Sequence, residues 1–148
     1  MTDSEFAPMS ARQIASAVKR GEVSAVDITR RHLSIVGETN QDLNALVAVD
    51  PNRSLRDAAQ VDNRVSRGEE LPLAGVPLIV KDNIWVQGWP ITQGSRLFSD
   101  FVAPCDAEAV RLACAAGAVV IGIGACSEFA CKGVTKSPLH GATHHPLD

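Results

Sequence analysis

The sequence contains no run of lysine or arginine residues and carries little net charge. Its formal charge is -3 and its isoelectric point is about 5.8. A protein that binds nucleic acid or an anionic membrane through surface charge needs a basic patch or stripe, because the attraction to phosphate groups is electrostatic. We therefore expect neither nucleic acid nor a membrane as a partner.

Long hydrophobic runs are also missing. No apolar stretch approaches the roughly 18 residues that a membrane-spanning helix needs. The first residues, "MTDSEFAPMSARQ", lack the basic and apolar regions of a signal peptide. The sequence therefore predicts a cytoplasmic protein.

The four cysteines form no C-x-x-C motif, and no feature of the sequence marks a secreted chain. Reduced thiols are therefore expected. A zinc site is the alternative, because two cysteines are followed closely by three histidines. No pair among these residues has a familiar zinc-ligand spacing, so we expect no metal and no other cofactor, and the role of the histidines stays open. The residues concerned are Cys126, Cys131, His140, His144 and His145.

What the chain does have is enough apolar sequence for a core. Apolar residues make up 45% of the 148 residues and charged residues only 21%. The pattern along the chain predicts an α/β protein in three parts. Residues 1–9 are a loose N-terminus, residues 10–70 hold N-terminal helices and a first strand, and residues 71–148 hold a strand-helix-strand unit.

The N-terminal part opens with two short amphipathic helices that form a hairpin. The first begins at Ser10 and ends at Gly21, and the second begins at Ser24 and ends at Gly37. A strand, "NALVAVD", follows, and then a third helix, "RSLRDAAQVDNRVSRG".

The later part reads as two strands joined by a polar loop and a helix. The strands are "GVPLIVK" and "AVVIGIG", and the helix between them begins at Asp106 and ends at Gly117. A right-handed crossover makes such strands parallel and brings Lys81 and Gly122 to the carboxyl edge of the sheet. Open α/β sheets form their sites at that edge. The loop of about 24 residues is long for a connector, so we expect it to carry function.

Lys81 closes the first of these strands and is followed at once by Asp82 and Asn83. Its simplest interpretation is a strand that ends at a solvated turn, because aspartate and asparagine are common turn residues. The alternative is a lysine that is buried and acts as a base.

Five segments appear in order over residues 73–148: "LAGVPLIVKDN", "TQGS", "PCDAEAVRLACAAGAVVIG", "SEFA" and "GATHHPLD". In this order and at this spacing they resemble the N-terminal part of the amidase signature family, over roughly the first third of such an enzyme. The resemblance implies an α/β/α fold with a mixed sheet, and hydrolysis of a small-molecule amide by a Ser–cisSer–Lys triad. By resemblance, Lys81 is the lysine of the triad.

The chemistry of a lysine base is demanding. An ordinary lysine amine has a pKa near 10.4, so a lysine base needs surroundings that favour its neutral form by about 4 kcal/mol near neutral pH. Burial is the available cause, since an apolar strand precedes Lys81 and Ile84 and Trp85 follow it. We therefore expect Lys81 to be inaccessible to solvent. Asp82 need not pair with it, because successive strand residues point to opposite faces.

The resemblance also implies what this sequence lacks. The two serines of the triad and the glycine-rich oxyanion hole lie downstream of the matching segment, so we expect residues 1–148 alone to hydrolyse no amide. We expect the chain to associate with itself or with the missing C-terminal part. Thr92, Ser95 and Cys126 are the expected pocket residues, with a turn that merely fixes the loop as the alternative for the two hydroxyls.

Two other functions compete with amide hydrolysis. The chain could be a decayed amidase that serves as a non-catalytic interaction module. A cysteine hydrolase that pairs Cys126 with His140 or His144 is disfavoured, because no group that would orient the histidine is evident.

Two segments depart from the pattern of the family. Residues 122–125 read "GIGA" where the family often has "GKTN", and residues 145–148 read "HPLD" where it usually has "NPWD". The first departure disfavours a glutaminase of the transamidosome type and favours a divergent carboxamide hydrolase.

Overall fold

The computed structural model describes residues 9–147. The loose terminus predicted for residues 1–9 therefore lies, except for Met9, outside the described residues. Within them the main elements are α1 (Ala11–Lys19), α2 (Ala25–Leu43), β1 (Leu46–Ala48), α3 (Pro51–Ser66), β2 (Pro77–Lys81), α4 (Glu108–Ala115) and β3 (Val119–Gly124), followed by a short hairpin of β4 (Lys136–Ser137) and β5 (Gly141–Ala142). No helix in this part of the chain is both long and apolar enough to cross a membrane.

The first two helices begin where the sequence predicts. The Ser10 side chain caps α1 in a capping box with Gln13, and the Ser24 side chain caps α2. The predicted end of α2 at Gly37 is wrong, because the helix continues to Leu43. Gly37 is exposed and keeps a helical backbone, whereas Asn44 adopts the left-handed conformation, with φ of 49°, that ends a helix.

The strands form a mixed sheet in the order β1-β3-β2. Strand β2 runs parallel to β3, as the strand-helix-strand pattern predicts, and β1 pairs with β3 in the antiparallel direction. Lys81 lies opposite Gly124, while Gly122 lies opposite Ile79 and is therefore one step inside the carboxyl edge.

Hydrophobic cores lie on both faces of the sheet, which gives the α/β/α layering. On one face, residues from α1, α2 and α3 pack against Val119 and Ile121. On the other face, Val110 of α4 and the residues of the long loop pack against Val120 and Ile123. Strand β3 is therefore covered on both sides, as its uniformly apolar sequence predicts.

The predicted start of α4 needs correction. Ala107 is the N-cap and makes no side-chain hydrogen bond, so Asp106 does not cap the helix. Its carboxylate instead accepts a hydrogen bond from the backbone N–H of Gln87, at 2.7 Å. A loop contact across the sheet edge thus competes successfully with local capping. Gly117 follows the helix with φ of 100°, which confirms the predicted helix end.

The composition of the segment "HGATHHPLD" is typical of a loop, but Gly141–Ala142 forms β5 and pairs with β4. Long-range contacts hold this hairpin. Asn44 Nδ2 donates to the carbonyl oxygens of His140 and Ala142, at 2.7 and 3.0 Å. The same residue that ends α2 therefore anchors a segment almost 100 positions further along the chain.

Candidate active site

Lys81 is the last residue of β2 and lies at the carboxyl edge of the sheet. Its side chain is exposed, so the expected burial is wrong for this chain. The cause is the position of β2, which is an edge strand in the described sheet. Ile79 lies on the same outward face, since it is two residues away, and is 51% exposed. Among residues 9–147, no hydrogen bond or ion pair holds the Lys81 amine.

Asp82 points to the opposite face and is fully buried, at 0% exposure. Its backbone N–H donates to the carbonyl oxygen of Gly124, at 2.8 Å, which continues the β2–β3 pairing one residue past Lys81. The one-residue alternation of a strand thus separates the lysine from the carboxylate, as the sequence predicts.

The Asp82 carboxylate anchors the "TQGS" segment. Oδ1 accepts from the backbone N–H of Thr92, at 2.6 Å, and Oδ2 accepts from the Thr92 hydroxyl and from the N–H of Gly94, at 2.5 and 3.0 Å. The sequence indicates only a turn residue at this position, so its anchoring role is a finding of the structure. An aspartate directly after a buried strand, with a Thr-x-Gly segment ten residues later, is the signal that could have indicated it.

The structure places Thr92 and Ser95 differently, although both are buried. Thr92 joins the Asp82 contacts beside the end of β2. Ser95 donates instead to Glu128 Oε1, at 2.8 Å, and its hydroxyl accepts from the N–H of Leu97, at 3.3 Å, as in a turn that fixes a loop. Within the described residues neither hydroxyl contacts the Lys81 amine by a hydrogen bond.

Cys126 is buried behind this site. Its Sγ lies 3.7 Å from the carbonyl oxygen of Asp82. Burial raises the pKa of the Cys126 thiol, the Asp82 charge raises it further, and Lys81 lowers it. A thiol that resists ionisation is a poor nucleophile. His140 Nε2 contacts the Thr92 hydroxyl, so the ring nitrogen nearest the site is already engaged. Both observations weigh against a cysteine hydrolase.

The residues of the alternative zinc site are not gathered together. Cys126 is buried and Cys131 is exposed. In residues 9–147, no three histidine, cysteine, aspartate or glutamate side chains are grouped in a way that could hold a metal ion.

A cavity of about 460 Å³ lies beside the Ser95–Glu128 contact. Its lining is Ser127, Glu128, Cys131, Lys132, Val134, Lys136, Ser137 and Pro138. The backbone next to it is strained, because Phe129 and Ala130 both have positive φ, of 53° and 55°. The sequence segment "SEFA" carries no local signal of this conformation, which side chains other than glycine, asparagine and aspartate rarely adopt.

The fold and the site together define an α/β/α protein with a lysine at the carboxyl edge of a mixed sheet and a hydroxyl-bearing loop folded beside it. A family model described as Amidase matches residues 27–148 of the chain. The chain belongs to this family, the amidase signature family, as the sequence motifs indicate.

Relatives of established name cover this chain almost completely. It is 40% identical, over its whole length, to a glutamyl-tRNA(Gln) amidotransferase subunit from Salinispora tropica, and it spans 30% of that protein. It is 39% identical, over 94% of its length, to the indoleacetamide hydrolase of Bradyrhizobium diazoefficiens, and it spans 27% of that protein. Identities this similar do not separate the amidotransferase branch from the carboxamide-hydrolase branch.

Solved structures match the fold closely. The native peptide amidase of Stenotrophomonas maltophilia superposes with a TM-score of 0.86 at 27% identity, over 97% of this chain and 31% of that one. A vestigial protein complex described as revealing the origins of an s-triazine catabolic enzyme superposes with a TM-score of 0.88 at 33% identity, over 95% of this chain and 31% of that one. The chain thus spans about 30% of the length of the proteins that it matches.

Proposed function

We propose that this chain carries the general base of an amidase that hydrolyses a carboxamide C–N bond, and that the base is Lys81. The observation that carries the proposal is the position of Lys81 at the carboxyl edge, inside the segment that the family model matches. The buried carboxylate of Asp82 is on the opposite face of the strand and is occupied by other donors, so it does not hold the amine as an ion pair.

In the proposed reaction, the neutral amine of Lys81 accepts a proton from a relay serine. The relay serine in turn accepts the proton of a second serine, which attacks the amide carbonyl. The amine leaves, an acyl-enzyme forms, and water then releases the carboxylic acid. Both serines and the oxyanion-hole donors belong to sequence that corresponds to the other two thirds of the relatives. Packing of that sequence over β2 would also desolvate Lys81.

A chimera tests the role of Lys81. Residues of this chain replace the aligned segment of the Bradyrhizobium diazoefficiens indoleacetamide hydrolase, which is 39% identical, and ammonia release from indoleacetamide is measured. Lys81→Ala should lower kcat/KM by about 100-fold or more, because a positioned base contributes about 10²–10⁴-fold. Lys81→Arg should be similarly inactive, since a guanidinium stays charged at neutral pH.

Lys19→Ala is the matched control, because Lys19 lies on α1 in an exposed ion pair with Glu70. It should keep kcat/KM within about twofold. If Lys81→Ala costs the chimera less than tenfold, about 1.4 kcal/mol of barrier, Lys81 is not the base. Residues 1–148 by themselves should release no ammonia above background.

A non-catalytic interaction module is the second candidate. The exposure of Lys81 and of the β2 edge favours it, because an unpaired strand edge is a surface for another chain. One relative is named as part of an amidotransferase with several subunits, and one matching structure is described as a vestigial complex. An active chimera that loses its activity with Lys81→Ala would favour catalysis, and an active chimera that is indifferent to Lys81 would favour the interaction role.

A further inference from the structure

We propose that Asp82, Thr92 and His140 form a hydrogen-bonded cluster with fixed proton positions, and that this cluster positions Lys81. His140 Nε2 lies 2.8 Å from the Thr92 hydroxyl oxygen, and that oxygen lies 2.5 Å from Asp82 Oδ2. The direct distance from His140 Nε2 to Asp82 Oδ2 is 3.9 Å, so the hydroxyl links the two ionisable groups.

The proton positions follow from counting donors and acceptors. Three donors meet the Asp82 carboxylate, namely the N–H groups of Thr92 and Gly94 and the hydroxyl of Thr92. A carboxylate that meets only donors acts as an acceptor alone, which is the role of its ionised form. The Thr92 hydroxyl therefore gives its single proton to Asp82.

The remaining capacity of the Thr92 oxygen is two lone pairs. One accepts from the Gly94 N–H, at 3.2 Å. The other faces His140 Nε2, which must then be the donor. His140 accordingly carries a proton on Nε2, and the chain of donation runs from His140 to Thr92 to Asp82.

The cluster joins three segments that are distant in sequence: the end of β2, the "TQGS" loop and the 136–142 hairpin. Residue 82 is held by its side chain and by its backbone N–H, while the carbonyl oxygen of Lys81 accepts from the N–H groups of Asn83 and Ile84, at 2.7 and 2.9 Å. The main chain at Lys81 is therefore fixed on its carboxyl side. This positioning role rests on the proposed function, in which a small displacement of the base lowers the rate strongly.

Nitrogen-15 NMR of the histidine rings in residues 1–148 tests the proton positions without any activity. At neutral pH the His140 ring should show the Nε2–H tautomer, and its signals are assigned by their loss in His140→Gln. His32 supplies an internal control of opposite kind, because its Nδ1 lies 2.8 Å from the carbonyl oxygen of Ile28 and must be the protonated nitrogen.

Thr92→Val and Thr92→Ser form a matched pair at the centre of the cluster. Valine has the shape of threonine but no hydroxyl, so the His140 signals should change while those of His32 stay as they are. Serine keeps the hydroxyl and should restore the His140 signals. The restored signals separate loss of the hydrogen bond from loss of the fold.

The same pair tests the positioning role in the chimera. Thr92→Val should lower kcat by tenfold or more and change KM by less than threefold, because the substrate still binds while the base is displaced. Thr92→Ser should stay within threefold of the parent chimera in both constants.

Three results would overturn parts of this inference. A His140 ring protonated on Nδ1, or one that is unchanged by Thr92→Val, rejects the cluster. A Thr92→Val chimera with unchanged kcat, next to an inactive Lys81→Ala chimera, rejects the positioning role alone. An active Lys81→Ala chimera rejects the proposed function and the positioning role, while the NMR signals still decide the proton positions.

Discussion

Lys81 and Asp82 are neighbours in the chain but lie in opposite environments, one exposed and one fully buried. At the scale of single residues, such differences follow from the face of the strand to which each side chain belongs. Asp82 can remain buried because every contact that its carboxylate makes is with a hydrogen-bond donor. Lys81 has no comparable set of partners in the described residues.

Gly94 is expected to resist substitution more strongly than other glycines of positive φ. Its φ is 64°, and an added Cβ would lie 2.8 Å from Ser137 Cβ and 2.9 Å from the carbonyl oxygen of Cys126. Gly94→Ala should therefore combine about 1–2 kcal/mol of backbone strain with about 1–3 kcal/mol of overpacking. Urea unfolding measures the loss.

Gly21 is the control for this prediction, because its φ is 71° but no atom lies within 4 Å of an added Cβ. Gly21→Ala should cost only the strain, about 1–2 kcal/mol. Equal losses for the two variants would mean that contact with Ser137 and Cys126 is unimportant.

The buried thiols should react more slowly than the exposed ones. Burial raises the pKa of both Cys114 and Cys126, whereas Cys105 and Cys131 are exposed. A raised pKa leaves less thiolate at pH 8, so iodoacetamide should modify Cys105 and Cys131 first, as read by mass spectrometry of peptides. The buried thiols should catch up as the pH rises.

Protonated burial also links these thiols to stability. The contribution is complete below the ordinary thiol pKa of about 8.5 and is lost as the pH rises through the raised folded value. In urea all four cysteines should react alike. Alkylation of Cys126 as fast as Cys131 in the folded chain would contradict its burial.

At the scale of elements, α2 depends on a partner that local sequence does not provide. Asp62 of α3 accepts from the N–H groups of Ala25 and Val26, at 2.6 and 3.2 Å, and so satisfies two free donors at the start of α2. Ser24, the local cap, satisfies the N–H of Asp27. Two helices are thus joined by a capping interaction across 37 residues.

Asp62→Ala should therefore lower the free energy of unfolding by about 1–2 kcal/mol, because it leaves two part-buried N–H groups without an acceptor. Asn63→Ala, on the same turn of α3 but exposed, should change stability by less than about 0.5 kcal/mol. Urea unfolding of both variants compares them directly. A loss for Asn63→Ala as large as that for Asp62→Ala would point to helix propensity instead of capping.

At the scale of the whole molecule, apolar surface is concentrated where the sheet ends. Strand β2 is an edge of the described sheet, and Ile79 on it is half exposed. Trp85, Leu97 and Phe129 are exposed in the segments that follow the strands. A strand edge with apolar side chains favours pairing with another chain.

Ile79→Lys should therefore reduce self-association of residues 1–148, because a charge on an edge strand opposes pairing. Size-exclusion chromatography with light scattering over a range of concentrations measures the change. Leu112→Lys is the control, since Leu112 is 54% exposed on helix α4, where no strand edge is available. A wild-type chain that stays monomeric at all concentrations would contradict the prediction.

The sequence by itself determined the features that depend on near neighbours. The Ser10 and Ser24 caps, the helix end at Gly117 and the parallel β2–β3 pair all follow from patterns within a few tens of residues. The family motifs, which are also local, pointed to the correct family and to Lys81 as the residue of interest.

The tertiary structure alone decided the features that depend on distant partners. Helix α2 passes Gly37 and ends at Asn44, whose side chain holds the 136–142 hairpin, and Asp106 leaves the helix start to bind Gln87. The exposure of Lys81 depends on which strands and segments cover β2, and no local pattern specifies that. The physical reason is common to all of them: a backbone or side-chain group takes the partner that folding brings near, and the sequence pattern describes only the partners that are near along the chain.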